Sequence, residues 1–215
     1  IFQGEAITGV TTMQLVEEMD AGPILLAEEV SIKPGETVTS LEARLVPVGA
    51  RLLMETVSGL AQGRLNPRLQ DAGAATFAPM LRKEDGLIDW TRSVREIERG
   101  IRAFTPWPSA FTYWEGKRIK IHGARLVDEE VVQVLDPETM MLARPSASPI
   151  HQTKTPGTVV EVGPDGIQVA GGEGVLLLTE VQAEGRKRMP AEAFVRGSGL
   201  REGVQFEQDP IQESA

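Results

Sequence analysis

Apolar positions near the start of the chain fall in two short runs separated by a sharp break. Val10, Met13, Leu15 and Val16 suggest a buried strand, Asp20, Ala21, Gly22 and Pro23 interrupt it, and Ile24, Leu25, Leu26 and Ala27 begin a second strand that reaches Ile32 and stops at Lys33, Pro34 and Gly35. Asp20 is thereby placed in a turn at a strand edge. The spacing then becomes helical: Leu41, Leu45, Val48, Leu52, Leu53, Val57 and Leu60 recur at intervals of three and four, and Gly63 marks the end. Thr37 or Thr39 can serve as N-cap, with Glu42 completing a capping box to Thr39. Pro47 lies inside this pattern and predicts a kink or break, because a proline there removes a backbone hydrogen bond and costs about 3 kcal/mol. Residues 1–63 thus read strand, turn, strand, helix. That is too little to close an α/β sheet with both faces covered, so this segment alone is expected to expose apolar strand and helix faces.

Residues 65–78 (LNPRLQDAGAATFA) carry no clear period and read as a linker. A helix is predicted over 93–104, with Ser93 as N-cap, Glu96 in capping-box position, and Val94, Ile97, Ile101 and Phe104 as its apolar stripe; Pro106 stops it. Short strands follow at 110–114, 118–126, 158–162, 166–170 and 175–181, with turns at 163–166 and 171–174. Five strands at this spacing favour a small β-barrel. Residues 136–156, with four prolines, read as a long loop, 190–196 as a short helix with proline in its first turn, and the acidic residues after Phe206 as a frayed tail. The expected division is a first domain over 1–64, a linker over 65–81, a second domain over 82–206 and a tail over 207–215.

Composition narrows the class. A chain of 215 residues that is 41% hydrophobic and 25% charged is ordinary for a soluble protein, with no apolar run near the ~20 residues a bilayer requires. The expectation is a cytoplasmic protein without membrane contact. Zero cysteines exclude disulfides and thiolate catalysis, and two distant histidines argue against a transition-metal site. The net charge of −9 opposes nucleic-acid binding over the entire surface, but its distribution is uneven. Residues 1–60 hold 3 basic and 9 acidic side chains, 82–126 hold 10 and 6, and 127–215 hold 7 and 15. Positive charge therefore gathers in the middle of the chain, at Arg82, Lys83, Arg92, Arg95, Arg99, Arg102, Lys117, Arg118, Lys120 and Arg125, with Lys187 and Arg188 as later additions. Arg92, Arg95, Arg99 and Arg102 share roughly one helical face, and Arg118 and Lys120 one strand face.

The segment Thr8-Gly9-Val10-Thr11-Thr12-Met13, followed by Met19-Asp20-Ala21-Gly22-Pro23-Ile24-Leu25, resembles the aspartate loop of the folate-dependent formyltransferases. Residues 101–112 (IRAFTPWPSAFT) are similar to a signature of the methionyl-tRNA formyltransferases, and 81–90 (LRKEDGLIDW) and 185–190 (GRKRMP) resemble that family's linker and C-terminal domain. The resemblance implies an α/β plus β architecture: the C-terminal portion of a Rossmann-like formyltransferase domain, then an OB-like β-barrel. It implies transfer of a formyl group from 10-formyltetrahydrofolate to the amino group of methionyl initiator tRNA, no metal, and a monomeric full-length form. The family's catalytic Asn-x-His pair and Ser-Leu-Leu-Pro-x-x-Arg-Gly loop are absent, and His122 and His151 lie in the wrong half, so the chain is expected to be the C-terminal part of a longer polypeptide and inactive alone.

By position in the motif Asp20 matches the catalytic aspartate, which orients and charge-stabilises the histidine and an ordered water, and Gly22 and Pro23 would shape the folate-side wall. The plain alternative for Asp20 is a turn former whose side chain caps its own backbone. The basic residues named above would hold tRNA through its phosphates. Trp90, Phe104 and Phe111 are expected in cores or interfaces, with Trp107 the one aromatic left open. Two other functions fit: a noncatalytic nucleic-acid-binding module built on the barrel, and another folate-dependent enzyme such as a sugar-nucleotide formyltransferase or a formyltetrahydrofolate dehydrogenase or hydrolase.

Overall fold

Threonine- and valine-rich β1 (Ile7–Met13) pairs antiparallel with β2 (Ile24–Ser31), from Ile7 opposite Ser31 to Met13 opposite Ile24, with a register shift at Thr12/Met13. The computed structural model describes residues 1–127 and 154–207, so the predicted loop over 136–156, His151 and the acidic tail lie wholly or mostly outside the described residues. The chain divides into one unit of Ile1–Asp85 with Arg102–Pro108 and a second of Gly86–Ile101 with Ser109–Ala215.

In the first unit β1 ends at Met13, so Leu15 and Val16, expected in the strand, lie beyond it and are exposed. Helix α1 (Val38–Ala61) packs on both strands through Leu41 and Leu52. Its capping box joins Thr37 to Ser40 rather than Thr39 to Glu42, because the helix starts earlier than the Thr39 alternative allows. Nor does Pro47 break it: the helix continues unbroken to Ala61. At the register shift the Thr12 hydroxyl lies 2.7 Å from that of Thr56, which itself donates to the Leu52 carbonyl, tying sheet to helix by a polar pair in an apolar contact. Buried Glu36 accepts from the Lys33 N–H and the Arg44 guanidinium, and Arg44 also donates to the Ser31 carbonyl. Arg44 and the Lys33 N–H hold the Glu36 carboxyl below the usual carboxylate range. Val46, Leu53, Met54, Val57 and Leu60 of α1 remain exposed, as the incomplete sheet predicts.

The second unit is built on a six-stranded antiparallel sheet in which β3 (Ala110–Trp114), β4 (Lys117–Leu126), β7 (Val175–Ala183), β6 (Gly166–Ala170) and β5 (Val159–Gly163) run side by side, with β8 (Met189–Pro190) pairing β7. Both predicted turns, at 163–166 and 171–174, connect strands here. β8 went unpredicted, since two residues carry no period. Helices α2 (Val94–Ala103) and α3 (Ala191–Ser198) complete the elements. Ser93 and Glu96 form the predicted capping box of α2, and the Ser93 hydroxyl and N–H keep the Glu96 carboxyl below its usual range.

The barrel expected from the strand spacing is not closed. Among the described residues β3 and β5 do not pair with each other; residues 203–207 instead reach both edges through isolated bridges, Gln205 to Thr158 and Glu207 to Tyr113. The same segment brings Phe206 against Trp90, with ring centroids 5.9 Å apart. Trp90 is 1% exposed, its indole N–H donates to the Thr112 hydroxyl, and that hydroxyl donates to the Glu207 carbonyl. Replacing Thr112 by Val keeps the shape but leaves a buried indole N–H without an acceptor. Thr112→Val is therefore expected to destabilise the second unit by about 1–3 kcal/mol, read by urea unfolding of the whole chain followed by tryptophan fluorescence; a decrease below about 0.5 kcal/mol, the range of an indifferent surface change, would show that this relay does not hold the sheet edges.

Candidate active site

Asp20 lies in the connection between β1 and β2, exposed, with φ of 56°, in the left-handed region that Asp tolerates better than most residues. The turn around it is held by groups other than its own side chain. The Gln14 N–H donates to the Pro23 carbonyl at 3.0 Å and closes the base of the loop. Gly22 is buried, and a Cβ built on it would stand 1.7 Å from the Gln14 carbonyl oxygen, so only glycine admits this approach. The bare Cα of Gly22 thus serves packing within the loop.

Below the loop, Arg68 and Ile24 exchange both backbone hydrogen bonds, at 2.8 and 2.9 Å, which fastens a short stretch of the predicted linker to the start of β2. Two residues on, the Gln70 amide donates to the carbonyls of Asp20 and Gly22, each at 2.7 Å. Sequence reading missed Gln70 because a lone bridge has no hydrophobic period to reveal it. The Asp20 carboxylate makes no hydrogen bond or ion pair among the described residues, so it can face solvent or a ligand while other groups keep the backbone in place.

The basic residues fall into different circumstances. Arg82, Lys83, Arg95, Lys117, Arg125 and Lys187 are exposed. Arg92 pairs with Asp89 at 3.6 Å, and Arg188 pairs with Glu180. Half-buried Arg102 donates to the Glu36 carbonyl at 2.8 Å, which gives it a structural bond within the first unit; Arg99 is also half-buried. On β4, Ile119 and Ile121 enter the core, so Arg118, Lys120 and His122 take the opposite face. Register shifts on both sides of Gly123 then exchange the parity: Ala124 and Leu126 pack on the core and Arg125 emerges on the face of Arg118 and Lys120. Arg118 lies over the Phe111 ring, 5.6 Å from its centroid, and Phe111 meets Tyr113 edge to face. His122 Nε2 is 3.0 Å from the Gln182 amide oxygen, and burial pushes its imidazole below the usual histidine value. Trp90, Phe104 and Phe111 are buried as expected, and Trp107 is 53% exposed.

The family model described as "Formyl transferase, C-terminal domain" matches residues 80–199, and "Formyl transferase" matches residues 1–57. A "Methionyl-tRNA formyltransferase" of Desulfotalea psychrophila is 41% identical over 93% of this chain and 55% of its own length; one of Lachnospira eligens is 41% identical over 95% and 60%. The chain spans little more than half the length of these curated relatives. In fold it is similar to HypX from Aquifex aeolicus in complex with tetrahydrofolic acid, with a TM-score of 0.60 and 18% identity over 94% of this chain and 32% of that one.

Proposed function

The chain belongs to the formyl transferase family, and we propose that it is the C-terminal portion of a methionyl-tRNA formyltransferase, contributing the catalytic aspartate and much of the tRNA-binding surface. The observation that carries this reading is the division of labour at the β1–β2 turn: Gln14, Gly22 and Gln70 hold the backbone, and the Asp20 carboxylate is spared from it. A mere turn former would be expected to bond its own loop.

In the proposed reaction the amine of methionyl initiator tRNA attacks the formyl carbon of 10-formyltetrahydrofolate, negative charge grows on the formyl oxygen, and the amine sheds a proton. An oxyanion donor and a general base meet those needs, and the family's Asn-x-His pair, from a preceding portion of the polypeptide, supplies them. Asp20 orients and charge-stabilises that histidine and an ordered water. Gly22 and Pro23, as part of the same turn, border the folate side. The exposed apolar residues of α1, Val46, Leu53, Val57 and Leu60, support a further portion packing against this unit, since free-standing surfaces seldom carry such a stripe.

We take the second unit as an OB-like fold whose two edges are joined through residues 203–207, and its outward β4 face as a contact for the tRNA acceptor arm. Arg118, Lys120 and Arg125 on one face, with Lys117 and Lys187 exposed, suit phosphate contacts; Arg82, Lys83, Arg92, Arg95 and Arg99 extend the same reading to the preceding segment. Arg92, Arg102 and Arg188 are weaker members because each already has a partner.

Two outcomes test the proposal. In the longer polypeptide, Asp20→Asn is expected to lower kcat by orders of magnitude with little change in KM for tRNA, since Asn tolerates the same φ but carries no charge; near-normal turnover would return Asp20 to a turn residue. Changing Lys117, Arg118 and Lys120 together to Ala is expected to weaken tRNA binding and to flatten its log–log salt dependence by roughly 0.7–0.9 for each phosphate no longer neutralised, measured by fluorescence titration at several salt concentrations. Unchanged affinity and slope would make this face a solvated surface only.

A further inference from the structure

The Asp20 loop is long and poorly packed by its own side chains. Leu15 is 93% and Met19 91% exposed, so neither anchors it by burial. Among the described residues the only side chain that bonds to residues 15–22 is Gln70, and it does so twice, to the carbonyls of Asp20 and Gly22. An amide NH2 has two hydrogens, so both bonds form at once from a single nitrogen. The paired carbonyls lie on either side of Ala21, and fixing them fixes the peptide planes that follow Asp20 and Gly22. Asp20 has a φ of 56°, a conformation that a non-glycine residue adopts at some cost, and holding its carbonyl restrains rotation about the adjoining Cα–C bond and so restrains where the Cα–Cβ bond points.

Gln70 is itself well placed to act as a fixed post. The Arg68–Ile24 backbone pair, at 2.8 and 2.9 Å, anchors its segment to the base of β2, only two residues away. The loop base is closed independently by the Gln14–Pro23 bond. The turn is therefore gripped from two sides, one within the hairpin and one from a segment some 50 residues later in the chain.

We propose that Gln70 is a positioning residue for formyl transfer: by holding the carbonyls of Asp20 and Gly22 it keeps the Asp20 carboxylate aimed at the histidine and water it serves. The proposal rests on the reading of Asp20 as catalytic. Gln70 touches no reacting atom; its effect on the rate passes through the direction of Asp20. Misplacement of a catalytic group by about 1 Å can cost on the order of a hundredfold in rate, so a loosened grip is visible in kcat.

The test uses two substitutions in the longer polypeptide. Gln70→Glu keeps the length and shape but offers no donor when ionised, whereas Gln70→Lys keeps donors at a similar reach. Gln70→Glu is expected to lower kcat about 10- to 100-fold while KM for both substrates stays within about twofold. Its unfolding midpoint is expected to match wild type, because Gln70 is exposed, and Gln70→Lys is expected to recover most of the rate. Hydrogen exchange in the 215-residue chain adds a readout independent of turnover: amides of residues 15–22 should exchange faster in Gln70→Glu and not in Gln70→Lys. A wild-type kcat in Gln70→Glu beside a slow Asp20→Asn overturns this proposal alone, as does a Gln70→Lys protein as slow as Gln70→Glu. A wild-type rate in Asp20→Asn overturns the reading beneath it, and unchanged exchange in Gln70→Glu shows that the amide does not grip the loop.

Discussion

The approach of the Gln14 carbonyl to the bare Cα of Gly22 is the constraint on which the first unit's turn depends. Any side chain at Gly22 would drive its Cβ to 1.7 Å from that oxygen, so the loop cannot close as it does with another residue there. In the closed loop the Gln14 N–H donates to the Pro23 carbonyl, the Gly22 carbonyl accepts from Gln70, and Asp20 lies in the left-handed region. The register shift at Thr12/Met13 and the Thr12–Thr56 hydroxyl contact stand just before this loop and lock β1 to α1, so the hairpin that carries Asp20 is referenced to the helix. The left-handed φ suits Asp20, and because its carboxylate bonds nothing in its own turn among the described residues, that group is left available to a ligand, which is where the proposed catalytic role starts.

The second unit works by ordinary burial. Ile121, Val159, Val169, Leu176, Leu178 and Val181 are fully inaccessible, and the polar relay from Trp90 through Thr112 to Glu207 draws the C-terminal segment across the sheet. The irregularity at Gly123 decides which way Arg125 points. A Cβ at Gly123 would meet the Thr179 hydroxyl at 2.7 Å, so glycine permits the register shift that turns Arg125 to the face of Arg118 and Lys120. Without that shift strict alternation would send Arg125 inward.

Much of this was legible in the sequence because it rests on local signals. Turn residues bracketed the strands of the second unit so clearly that 110–114 and 166–170 emerge with the predicted ends, and the Ser93–Glu96 capping box marked the start of α2. The failures have physical causes. Leu15 and Val16 looked like strand residues because they are apolar, yet their loop leaves them in solvent. Ser40, a residue that helix propensity does not favour, took the capping role from Glu42 because Thr37 was the cap. Pro47 sits in a helix held by its packing on β1 and β2, which outweighed the local penalty. Barrel closure was inferred from strand spacing, but the edges meet a segment, 203–207, that joins them through isolated bridges rather than as a strand in the ladder. At the candidate site, Asp20 was visible through its motif, and the uneven charge marked the basic segment. Gln70 and the fate of Arg102 were not visible, because each depends on a carbonyl far away in sequence.

The identity of the formyl acceptor is open to direct measurement. The longer polypeptide would be given 10-formyltetrahydrofolate together with methionyl initiator tRNA and a nucleotide-linked amino sugar in the same vessel, and both products quantified by mass spectrometry. Formyl-methionyl-tRNA and no formylated sugar are expected. Formylation of the sugar with the tRNA left unmodified would contradict the assignment of this chain to a tRNA-directed enzyme.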